Sequence, residues 1–200
     1  EISTTALVLN VMTASLSLCF FARAKQLNFK LCLPLLIASV PAAFAGGMIP
    51  LDRGYFLLLA IVLFLTALKL FYDTIRKPTD DSEIKEVKIP AALSIGAVLG
   101  LLSGMAGIGG GVFLSPVLLF LRWSTVKQTS AAAALFIVGN SMAGLIGRAV
   151  TGRLMFGSLV PFLIAAFIGG TLGAFLGSQK FSNPNLKRAL ALVLLVAVGK

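Results

Sequence analysis

The chain has no histidine, and none of its seven acidic residues lies beyond Glu86. The missing histidine removes the side chain that changes charge near neutral pH. No Asp or Glu falls inside a predicted membrane span, Glu1 just before the first and Asp73 at the end of the third excepted, so a carboxylate proton relay or sodium site is disfavoured in these residues. A cationic cargo such as nickel is disfavoured for the same reason, and an intramembrane hydrolase would lack its base. Cysteine is limited to Cys19 and Cys32, which lie in or beside apolar runs and read as small hydrophobes, not as a disulfide or metal pair. No metal or cofactor is implied. A phosphate-binding P-loop is missing, and Gly107-Ile108-Gly109-Gly110-Gly111 departs from a dinucleotide fingerprint because Val112 stands where the third glycine belongs. No signal peptide is visible, and both ends are expected to be cut relative to the full gene product.

What is abundant is apolar surface. Hydrophobic residues make up 58% of the chain and the mean hydropathy is +1.00, far above a soluble domain. Several runs approach 20 residues without a period of two, so an all-α integral membrane protein is expected. The predicted spans are Ser3–Ala22, Leu31–Ile49, Tyr55 to about Thr74, Gln128–Gly147 and Phe156–Ser178, with Ala189–Gly199 as a cut-off last span. Glycines 169, 170, 173 and 177 are expected to let helices approach closely, and Trp123 to anchor at an interface. The net charge of +10 comes from cations placed between apolar runs. They read as topology signals and lipid-headgroup contacts, with no nucleic acid implied.

One stretch organises the rest. Ile89 to Leu121 runs 33 residues without a charge, with five glycines between Ser103 and Pro116. As one helix it would run roughly 50 Å, against a hydrocarbon core of about 30 Å, and it is too short for two spans. A broken helix fits, with one arm to about Gly104, an unwound turn, and a shorter arm to Leu121. Unwound backbone in lipid is tolerated only where protein buries it or water reaches it.

An internal repeat divides the chain. Leu27-Asn28-Phe29 matches Leu154-Met155-Phe156, the run Pro34–Ala38 matches Pro161–Ala165, Gly46 matches Gly173, and Asn10 corresponds to Asn140. The expected units are residues 1–75 as a first half lacking its glycine-rich element, 76–88 as a polar linker, and 89–200 as a second half. If the broken element goes in and returns, 13 of the 17 cations collect on the side that holds Arg23–Lys30; a single crossing collects 11. The positive-inside bias favours the returning hairpin, two inverted repeats and a cytoplasmic linker.

The block Ser103-Gly104-x-x-Gly107-x-Gly109-Gly110-Gly111-x-x-x-x-Pro116, followed by Gln128-Thr129-Ser130-Ala131 and Asn140, resembles the TauE/SafE sulfite exporter family, also called the toluenesulfonate-uptake permease family. The resemblance covers the whole chain. It implies a secondary carrier in the cell membrane for small sulfur-containing oxyanions such as sulfite, sulfonates or sulfoacetate. An anion channel for small oxyanions or carboxylates is the rival reading. The partners implied are a small anion and the bilayer; a homodimer is left open.

The residues themselves suggest how an anion is held. A helix that restarts inside the membrane presents free N–H groups and the positive end of its dipole. Gly109, Gly110 and Gly111 are the first candidate donors, with Ser115 adding a hydroxyl. Thr129, Ser130 and Asn140 lie on the next span, Ser130 and Asn140 being about 15 Å apart along a helix and within about 80° in azimuth. Ser3, Thr4 and Asn10 would contribute from the other half. Arg148 and Arg153 read as span-end anchors or as cations at a mouth.

Overall fold

The computed structural model describes residues 2–49, 84–154 and 160–180. The third predicted span, most of the linker and the last span lie outside the described residues. The described residues form six α-helices and no strand: α1 (Ile2–Arg23), α2 (Phe29–Met48), α3 (Ile89–Ala106), α4 (Gly111–Leu121), α5 (Val126–Val150) and α6 (Val160–Phe175), the last continuing into a π-helical turn at Leu176–Lys180. Helices α1, α2, α3 and α5 are long and apolar enough to cross a membrane. Helix α4, with 11 residues, rises about 16 Å, half a bilayer core.

The helix ends are written in the sequence. Asn28 caps α2, its side-chain oxygen accepting from Lys30 N–H at 3.1 Å. Thr125 and Gln128 form a reciprocal capping box at the start of α5, with bonds of 3.2 and 3.3 Å. Pro90 sits in the first turn of α3, where its missing N–H costs least. Arg122 adopts φ +56° and closes α4, donating its N–H to Leu118 and Leu119 carbonyls.

Contacts fix the helix directions. Along α3, Gly96, Gly100 and Gly104 meet Leu35, Ser39 and Ala43 of α2 in rising order, so the two helices run parallel. A methyl group on any of the three glycines would overlap a backbone carbonyl oxygen of α2. This is a seam of small residues at a spacing of four, which lets two backbones touch. Helix α5 also runs parallel to α2, with Gly139 against Leu36 and Val40, and Gly147 against Phe44. Helix α1 runs the other way: its Leu7 lies beside Gly144 of α5, its Asn10 reaches Gly109, and its Thr13 meets Gly170 of α6. The second arm returns towards the start of the first, since Lys85 N–H donates to Arg122 C=O at 2.8 Å.

The packing is inside-out relative to a water-soluble protein. Phe29, Leu33, Ile37, Val98, Ile146 and Phe167 face outward, whereas Ser39, Ser103, Asn140 and Ser141 are 0% exposed. An apolar cluster of Leu31, Leu35, Leu114, Leu118, Trp123 and Phe136 fills the end nearer Arg122. Trp123 is 5% exposed. It packs inward against α2 and α4 and is no interfacial anchor; the tight turn after Arg122 directs the ring into the bundle. Among the described residues, a side chain at Gly169 or Gly173 would meet nothing within 4 Å, whereas Gly170 packs against Thr13.

Candidate functional site at the helix break

Helix α3 ends where Gly107 turns left-handed (φ +72°) and donates its N–H to Ser103 C=O at 2.8 Å. Gly109 and Gly110 follow with φ +75° and +76°. An L-residue in that conformation costs roughly 1–2 kcal/mol, so three left-handed glycines end one helix and start another within four residues. The first donors of α4's own ladder are Phe113 and Leu114, both bonded to Gly110 C=O at 3.1 Å. The N–H groups of Gly111 and Val112 precede that ladder, at the positive end of the α4 dipole.

The break lies level with the middle of α5. A Cβ at Gly110 would stand 2.9 Å from Phe136 Cε1 and 3.0 Å from Ser103 Oγ; one at Gly109 would stand 2.9 Å from Ser141 Oγ and 3.2 Å from Asn10 Nδ2. Gly111 presses on Ile137, whose Cδ1 would be 2.5 Å from an added Cβ. Phe136, Asn140 and Gly144 share one ridge of α5 at a spacing of four. Phe136 faces Gly110 and Ser103, and Gly144 meets Gly104, so Asn140 between them faces the end of α3.

Three of the residues gathered here hold side-chain polar atoms without a partner in the protein. Ser103 Oγ, Ser141 Oγ and both Asn140 side-chain atoms are buried and make no hydrogen bond. Each such group costs about 1–3 kcal/mol, and such groups are rare enough in native proteins to need a reason. Ser39 Oγ is also unpartnered, but it sits in the seam against Gly100.

The sequence-selected residues divide. Gly109, Gly110, Gly111, Asn10 and Asn140 come together. Ser115 donates to Gly111 C=O of its own helix at 2.9 Å. Ser130 donates to Val126 C=O at 3.0 Å. Thr129 pairs with Ser124 at 2.7 Å, and Gln128 is spent on the capping box. Thr129 and Ser130 lie about two turns from Ile137, towards the Arg122 end. Thr4 is buried at 2% exposure, nearer the start of α1; the Ser3 side chain lies outside the described residues. Sequence reasoning passed over Ser103 and Ser141, although a hydroxyl inside an uncharged apolar run, adjoining a glycine block or an asparagine, is a usable signal.

Two arginines close the far end. Arg148 Nη2 donates to Gly104 and Met105 carbonyls at 3.2 and 3.1 Å, and Arg153 Nη1 to Met48 C=O at 3.1 Å. Each guanidinium caps the carbonyl end of a neighbouring helix. Glu86 is the one carboxylate among the described residues, on the extended segment before α3. No cluster of metal-ligating side chains occurs among the described residues.

The family model described as "Sulfite exporter TauE/SafE" matches residues 1–200. The chain is similar to the probable membrane transporter protein y4hK of Sinorhizobium fredii, with 36% identity over 98% of this chain and 80% of the relative. It is also similar to the probable membrane transporter proteins YjnA (28% identity, 96% of this chain, 81% of the relative) and YunE (21%, 96% and 77%) of Bacillus subtilis. No solved structure matches. A glycine break at mid-span, an inside-out bundle and a match along its full length give one conclusion: the chain belongs to the TauE/SafE sulfite exporter family of membrane transporters.

Proposed function

We propose that the protein is a secondary carrier of small sulfur-containing oxyanions, such as sulfite, sulfonates or sulfoacetate, in the cell membrane. The anion sits at the break, on the first N–H groups of α4, with Ser103, Asn140, Ser141 and Asn10 supplying neutral donors. The observation that carries this is the set of buried, unpartnered polar atoms on Ser103, Asn140 and Ser141 around a positive helix end. An oxyanion accepts hydrogen bonds from all of these donors, and it removes their desolvation cost when it binds.

In this reading α3 and α4 form a re-entrant hairpin, supported by the Lys85–Arg122 backbone bond. The halves are inverted, supported by the opposite directions of α1 and α5, which bring Asn10 and the Asn140–Ser141 pair to one place. The end of the bundle holding Arg23, Lys25, Lys30, Lys85, Lys88, Arg122 and Lys127 faces the cytoplasm with the 76–88 linker, and Arg148 and Arg153 lie at the other end. Access alternates as one half rocks on the other. A channel would line a continuous pore with the same donors. Burial of Gly109–Gly111 beneath Phe136, Ile137 and Ser141 favours an occluded carrier site.

Uptake into liposomes separates the two. A carrier gives saturable flux of sulfite or sulfoacetate, accelerated by the same anion on the other side. Large unitary currents, or flux linear in concentration, would refute the carrier.

A further inference from the structure

A break brings two opposite helix ends to one place. The α4 start offers about half a positive charge, and the α3 end about half a negative one. A ligand lodged between them meets little net field, so the glycines alone do not select anions. Arg148 changes that balance. It is 8% exposed, on the last turn of α5, and its Nη2 lies on the Gly104 and Met105 carbonyls that the break leaves free. The facing residues of α2 and α3 here, Phe44, Gly47, Gly104 and Met105, carry no charge, and neither do the α1 residues from Thr4 to Asn10. Arg153, near enough to repel it, is the nearby charged group among the described residues; Glu1 and Asp52, the latter four residues past Met48, lie outside them. A buried cation with no carboxylate beside it among the described residues is costly near a membrane span, and such residues mark function more often than packing.

We propose that Arg148 is the specificity-determining residue of the carrier: by cancelling the negative end of α3, it leaves the break with about one net positive charge and so selective for anions. The proposal rests on reading the break as the anion site. Arg153 provides the contrast. It donates to the Met48 carbonyl at the exposed end of α2, away from the break, and its role there is mechanical.

The test is uptake of labelled sulfoacetate by the full chain in liposomes. R148Q keeps an N–H donor for the carbonyls but removes the charge. Its KM for sulfoacetate should rise about tenfold to a hundredfold, with kcat within about threefold of wild type, while R148K stays within about threefold in KM. A wild-type KM in R148Q, or R148K as impaired as R148Q, means a mechanical latch and overturns the proposal. R148H gives a second reading that does not need the Gln variant to fold. Its KM should fall several-fold between about pH 8 and pH 5.5 as the imidazole gains its proton, against a flat wild type; a flat R148H profile overturns the proposal. A wild type that takes up neither sulfite nor sulfoacetate removes the anion site itself, and this proposal with it.

Discussion

Between Gly96 and Gly104, glycines keep α3 helical and let it lie directly on α2. Between Gly107 and Gly111, glycines end that helix and start another. In the seam the missing side chain matters because a neighbour's carbonyl occupies its place. In the break it matters mainly because the backbone is left-handed at Gly107, Gly109 and Gly110. The seam fixes where α3 stands, and the break exposes dipoles and N–H groups at the middle of the bundle. Apart from Ser39, the unpartnered buried polar side chains among the described residues belong to the break. One region therefore packs two backbones together, and the other holds polar groups without partners in the protein.

That contrast can be broken experimentally. The largest effect should come from the seam. Gly104→Leu drives a side chain into the Ala43 carbonyl, and backbone cannot move aside as a side-chain tip can. We expect a loss above about 4 kcal/mol and little protein in the membrane fraction. A normal yield would mean the seam is not structural. Next is Gly110→Leu, which meets side-chain atoms of Phe136 and Ser103. It should abolish transport while the protein remains in the membrane at reduced stability; wild-type flux would refute the site.

Asn140→Leu sharpens the comparison further. Removing two unpartnered buried atoms should leave thermal stability unchanged or raise it by about 1 kcal/mol, because no hydrogen bond is lost, while uptake falls at least about tenfold. Lower stability with normal uptake would make Asn140 a structural residue. The smallest effects belong to residues whose hydroxyls are already engaged. Ser130→Ala and Ser115→Ala should change KM less than about twofold. Thr129→Val loses its bond to Ser124, about 1 kcal/mol of stability, with KM unchanged.

Much of this was legible in the sequence, for identifiable reasons. Helix limits follow from charge gaps and caps, so α1, α2 and α5 fall within a few residues of their predicted spans. The break could be placed because 33 uncharged residues are too long for one span and too short for two. What could not be read was azimuth. Which glycines touch a neighbour depends on how helices rotate about their axes, so nothing in the sequence singled out Gly96 and Gly100, which form the seam. Trp123 turns inward for the same reason. Thr129 and Ser130, read from the sequence as candidate site residues, stand in the first turns of α5 with their hydroxyls bonded to Ser124 and to Val126 C=O. Ser103 and Ser141 emerge only when the break is placed against α5.

The central claim is that neutral donors at the break hold an anion. The most direct test is thermal unfolding of the purified protein with sulfite, sulfoacetate, thiosulfate, taurine and sulfate, run beside Asn140→Leu. The account predicts that at least one sulfur oxyanion raises the unfolding temperature in proportion to its occupancy and that the rise disappears in the variant. No shift with any of the five, or a shift of equal size in Asn140→Leu, would contradict it.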